Sequence, residues 1–144
     1  MTSTTSADLV AAATATAARL RHGGRALVFG SGPAAADAQR LVAALAREAV
    51  PALVLPGGPA GFAAAVELFG TRRDVAIALA RDGGDYPMAA ALIAARARGL
   101  LTVALVAPAG PVARVAGIDH LLTTGPAARR RLGELLRTLL HEPV

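Results

Sequence analysis

With 144 residues, 54% of them hydrophobic, the chain has the size of one domain with a real core, and no apolar run reaches the roughly 18 residues of a membrane span. The net charge of +5 comes from arginine alone, since there is no lysine. With aromatics at 3%, the charge reads as compositional bias and speaks against a nucleic-acid surface. The absence of cysteine excludes disulfides and thiolate chemistry and fits a cytoplasmic setting.

The first element is "SADLVAAATATAARLR". It lacks the basic leader of a signal peptide and has Asp8 at its start, so it predicts a helix over about 7–21 with Ser6 as cap. "RALVFG" (25–30) then predicts a strand. Residues 34–49 follow as an amphipathic helix, with Ala38, Leu41, Val42, Leu45, Ala46 and Ala49 on one face and Asp37, Arg40 and Arg47 on the other. Further strands are predicted at "PALVLP" (51–56), "DVAIALA" (74–80), "LLTVALVA" (100–107) and "DHLLTT" (119–124), with helices at 59–69 and 87–98, the latter stopped by Gly99. The last helix, about 127–141, carries a stripe of Leu132, Leu135, Leu136, Leu139 and Leu140 behind Arg129-Arg130-Arg131, which reads as a solvated first turn.

The strands are continuously apolar, as required when both faces of a sheet are covered, and they alternate with helices. The pattern predicts an α/β fold: a doubly wound, five-stranded parallel sheet in a three-layer, flavodoxin-like or Rossmann-like sandwich, with a core over about 25–124. Ligands of such sheets sit beyond the carboxyl ends of the strands at the switch point. The loops that matter are therefore "GSGPAAAD" after the first strand and "ARDGGDYP" after the third.

Gly30-Ser31-Gly32-Pro33-Ala34-Ala35 satisfies G-x-G-x-x-A formally, but the second strand ends in Leu55-Pro56-Gly57-Gly58 without the acid that a dinucleotide ribose needs. Pro33 also removes one N–H from the turn. In the second loop, Asp82 and Asp85 can only accept hydrogen bonds when ionised. Against a phosphate at about 5 Å, each would cost on the order of 3 kcal/mol at an effective dielectric of 20, unless Arg81 turned inward to offset it. Asp82-Gly83-Gly84-Asp85 is also good chemistry for a polar turn. No nucleophile has a base beside it, and His22, His120 and His141 fall away from the two loops and share no metal-ligand spacing. No catalytic residue, metal site or cofactor is assigned.

From "GGRALVFGSG" through "AAADAQR", the sequence resembles the sugar isomerase (SIS) domain, and in particular its phosphoheptose isomerase branch, whose first loop runs Phe-Gly-Asn-Gly-Gly-Ser-Ala-Ala-Asp-Ala-Gln-His. The resemblance extends over about residues 8 to 140. It implies one SIS-like domain, a homo-oligomer (dimer or tetramer) built on the terminal helices, and a sugar-phosphate site. It also implies chemistry by a glutamate and a histidine, and zinc in some members. This chain departs from the pattern at the site. The phosphate-binding serine falls on Ala34, the asparagine on Ser31, the zinc-site histidine on Arg40 and the catalytic glutamate on Ala44. The hydroxyl-rich second loop becomes Ala80-Arg81-Asp82-Gly83-Gly84-Asp85, and "AARRRLGELLRTLL" has neither the glutamine nor the histidine of the last helix.

The sequence thus predicts a degenerate cradle of Gly30, Ser31, Gly32, Ala34, Arg81, Asp82, Gly83, Asp85 and Thr124 in a protein that has lost isomerase activity. It would bind a carbohydrate derivative or serve as an assembly or regulatory subunit, alone or with a catalytic SIS paralogue or another protein. The alternative is an active phosphosugar isomerase, or a phosphosugar binder, in which Arg81, Asp82 and Asp85 take new roles.

Overall fold

The computed structural model describes residues 6–57, 61–123 and 126–141. The elements run α1 (Ser6–Arg21), β1 (Ala26–Gly30), α2 (Ala34–Arg47), β2 (Ala52–Val54), α3 (Gly61–Phe69), β3 (Val75–Leu79), α4 (Tyr86–Ala97), β4 (Leu101–Val106), a 3-10 turn at Val112–Arg114, β5 (His120–Thr123) and α5 (Pro126–His141). All pairings are parallel, in the order β2-β1-β3-β4-β5. The chain reverses direction between β1 and β3, so the loops after these two strands flank the switch-point crevice.

Alternation along each strand divides the core. Val28, Ile77, Leu79, Val103 and Leu105 face α1, α2 and α5, whereas Leu27, Phe29, Ala76, Ala78, Ala104 and Val106 face α3 and α4. The centre of the sheet is dry on both sides, as its unbroken apolar runs predict. The edge differs: β2 is three residues long with Leu53 and Val54 exposed, because it pairs on one side only and lies between Pro51 and Pro56. Ser6, expected as a cap, is the first residue of α1. The leucine stripe of α5 is used inside the chain. Leu132 and Leu136 are buried in the core shared with α1 and α2, and Leu135, Leu139 and Leu140 pack partly against it. Among the described residues, no helix is long and apolar enough to cross a membrane.

Candidate functional site

The structure brings the two switch-point loops together, and several of their donors are already used. Gly30 has no room for a side chain, since a Cβ there would come within 2.7 Å of the Ala34 carbonyl oxygen and 2.8 Å of that of Leu79. The N–H groups of Ala34 and Ala35 bond to the carbonyls of Ser31 and Gly32, at 3.2 and 3.1 Å. Ala34 itself is buried in the core. Ser31 turns its hydroxyl to the Met88 sulfur at 3.4 Å, and Gly32 forms the left-handed corner of the turn.

In the second loop, the Asp82 carboxylate accepts from Gly84 N–H at 2.9 Å, and Asp85 caps α4 by accepting from Met88 N–H at 2.9 Å. Gly83 is pressed against Ala109, where a Cβ would lie 1.8 Å from the carbonyl oxygen. Both aspartates thus build the turn and the helix start, and the Asp85 carboxylate takes a donor that an anion at the α4 N-terminus would otherwise use. Thr124 lies outside the described residues.

Arg81 leaves this loop altogether. Its Nε and Nη2 donate to the two oxygens of Asp37 on α2, each at 3.1 Å. Arg40 Nη1 donates to the same carboxylate at 2.9 Å, and Arg129 Nε lies 3.3 Å from it. Asp37 is therefore held by three guanidiniums from three elements, with its side chain only 13% exposed. The Arg81 hydrogen bond is the main force lowering its pKa. Burial opposes that shift, and the charges of Arg81, Arg129 and Arg40 reinforce it. The same hydrogen bond raises Arg81 above its ordinary value.

Two expectations are corrected here. Arg129 is not a solvated first-turn residue, since its side chain is only 10% exposed. Asp37 does not lie on an open outer face, because α5 and the β3–α4 loop fold over it.

Beside this cluster a cleft of about 630 Å³ opens between α2 and α5. Leu41, Ala44, Leu79 and Leu132 give it apolar surface, and Asp37, Arg40, Arg81, Arg129, Arg130, Gly133, Glu134 and Arg137 line the rest. Five guanidiniums against two carboxylates leave an excess of three positive charges. Among the described residues expected to form the cradle, Arg81 alone lines it.

The positions that the SIS resemblance assigns to zinc and to the catalytic glutamate, Arg40 and Ala44, are both in this cleft. A guanidinium and a methyl group do not fit a metal, and among the described residues no three His, Cys, Asp or Glu side chains converge to hold one. The histidines stand elsewhere. His22 bonds the Ala18 carbonyl, His120 starts β5, and His141 lies 3.4 Å from Glu48.

Among known structures, phosphoheptose isomerase from Neisseria gonorrhoeae is similar over 94% of this chain and 83% of its own, with a TM-score of 0.73 and 26% identity. The phosphoheptose isomerase from Francisella tularensis matches over 94% and 84%, at a TM-score of 0.74 and 20% identity. The sugar isomerase domain of an RpiR transcription factor from Sphaerobacter thermophilus matches over 95% and 78%, at 0.73 and 24%. No protein-family model matches the sequence, nor does any curated protein. The chain has the SIS fold over nearly its whole length.

Proposed function

We propose that this SIS-fold protein binds an anionic sugar derivative in the arginine cleft between α2 and α5, without isomerising it. The observation that carries the reading is the excess of guanidinium charge lining a concave, partly apolar cavity at the carboxyl end of the sheet. Guanidiniums match phosphate and carboxylate oxygens in pairs, and apolar surface beside them suits a sugar ring or chain. The structural neighbours include phosphoheptose isomerases, which supports a sugar derivative as the class of ligand to test first.

The non-catalytic half rests on the carboxylates. Moving a proton between the carbons of a sugar needs a base with a free lone pair and a pKa near the working pH. Asp37 has its oxygens engaged by three guanidiniums and its pKa lowered, so it is a poor base. Ala44 supplies a methyl where the resemblance implies the glutamate. Glu134, exposed on α5, is the remaining carboxylate of the cleft.

The test is a thermal-shift titration with sedoheptulose 7-phosphate and other sugar phosphates, run beside an NMR assay for aldose–ketose conversion. Ligand at 100 times its dissociation constant adds about 2.7 kcal/mol, a shift of several degrees. Stabilisation without conversion is the expected result. Conversion that Glu134→Gln abolishes would make the protein an isomerase. Self-association is also proposed, and light scattering distinguishes a 14.4 kDa monomer from a dimer or tetramer.

A further inference from the structure

We infer that the ligand of this cleft carries two acidic groups, one at each end: a sugar phosphate with a second phosphate or a carboxylate. The inference rests on the reading of the cleft as an anion site and adds the charge and span of the ligand. The guanidiniums fall into two sets along the groove. Arg40, Arg81 and Arg129 gather on Asp37 near the carboxyl ends of β1 and β3, with Arg130 next to them in the chain. Arg137 lies two helical turns further along α5, about 10 Å down the axis from Arg130.

Between Arg130 and Arg137, Gly133 contributes no side chain; a Cβ there would have its nearest contact 4.0 Å away, on Leu41. Ala44 on α2 lines the same groove with a methyl group. Among the described residues, neither Arg130 nor Arg137 makes an ion pair, although Glu134 lies one turn from each. A monophosphate dianion would engage the upper set and leave one positive charge of the excess unmatched. A carboxylate at the far end of an extended sugar chain would meet Arg137 and balance the cleft, and a second phosphate would more than balance it.

The experiment is calorimetric titration at fixed ionic strength with glucose, glucose 6-phosphate, 6-phosphogluconate, fructose 1,6-bisphosphate and pyrophosphate. The two-acid sugars should bind about tenfold more tightly than glucose 6-phosphate, the increment of one further charge-assisted contact. Arg137→Gln should erase that advantage. Arg131→Gln, an equal loss of charge on an exposed part of α5 outside the cleft, should preserve it. Both variants replace exposed side chains, and their melting temperatures check the fold. Equal affinity for one-acid and two-acid sugars, or an advantage that survives Arg137→Gln, overturns the inference and leaves the anion site standing. Pyrophosphate binding as tightly as the two-acid sugars overturns the sugar span. If no phosphorylated sugar binds, both readings fail.

Discussion

Arg19, Arg21, Arg25 and Arg98 stand at the end of the sheet where the helices finish, and their partners are main-chain carbonyls, to which Arg25 adds the Asp74 carboxylate. Arg19 donates to the carbonyls of Arg72, Asp74 and Gly99, Arg21 to that of Leu139, Arg25 to that of Phe69, and Arg98 to that of Gly70 at 3.2 Å. At the opposite end, Arg40, Arg81 and Arg129 share one carboxylate, and Arg130 and Arg137 line the cleft beside them. The residue type is the same and the use differs. Carbonyls at helix and loop ends carry partial negative charge, which the first set satisfies as part of the scaffold. Both ends carry more arginine than acid, but among the described residues the second set bonds no main-chain carbonyl and lines an open groove, where a ligand can supply the missing negative charge.

The sharpest way to break this comparison is at the scaffold end. Asp74, 2% exposed, accepts from the N–H of Arg25 at 2.8 Å, from the N–H and hydroxyl of Thr71 at 2.9 and 3.0 Å, and from the Arg25 guanidinium at 3.3 Å. Asp74→Asn should cost about 3 kcal/mol in urea unfolding, because buried donors lose an ionic acceptor. Affinity for a sugar phosphate should stay at the wild-type value. A variant that folds but loses the anion would show that the two ends are coupled.

Acid titration is the next test. Burial would raise the Asp74 pKa, but the hydrogen bonds from Arg25 and Thr71 outweigh it and leave it lowered; Asp37 is lowered chiefly by Arg81. Since the unfolded chain takes up protons first, these groups stabilise the fold above the ordinary carboxylate value of 3.8. That contribution is lost as pH falls through the depressed folded values. Stability of Asp74→Asn measured against pH should fall less steeply below about 4 than that of the wild type.

The scaffold was readable because its signals are local. Each strand is a run of Val, Leu, Ile and Ala between turn residues, and β1 and β3 met both faces of the core as those runs predict. The edge position of β2 depends on strand order, which no single segment encodes. The cleft was hidden for the same reason. Asp37 and Arg40 look like an ordinary surface pair three residues apart, and Arg129-Arg130-Arg131 looks like a solvated run. Only the packing of α5 against α2, and the swing of Arg81 away from its own loop, bring them together. The glycines of the first turn are visible in the sequence, whereas the hydrogen-bond partners of that turn require the folded chain.

Arg129→Gln tests the cleft from its most buried guanidinium. Losing one of the three guanidiniums around Asp37 should cost about 1 kcal/mol of stability, while sugar-phosphate affinity should fall about tenfold. A stability loss without an affinity loss would move Arg129 to the scaffold set.

The smallest effect on stability carries the most information. Asp37→Asn keeps the shape of the side chain and leaves one amide oxygen to accept from a guanidinium, so folding should weaken by about 1 kcal/mol or less. The variant raises the charge excess of the cleft from three to four. At about 7 Å and an effective dielectric of 20, one added unit charge attracts each ligand charge by roughly 2 kcal/mol before screening; salt reduces this to a gain of about fivefold in affinity. Since Asp37 is ionised well below neutral pH, it competes with the ligand throughout the physiological range, and the gain should be level between pH 7 and 8, where the ligand's phosphate is also fully ionised, and smaller at pH 6, where part of it is protonated. Calorimetry with 6-phosphogluconate at two salt concentrations reads both the gain and its salt dependence. A fall in affinity would mean that Asp37 aligns the arginines for the ligand instead of competing for them. In that case the carboxylate belongs to the binding site as a positioning residue, and the two ends of the sheet would both use an acid to hold arginines in place.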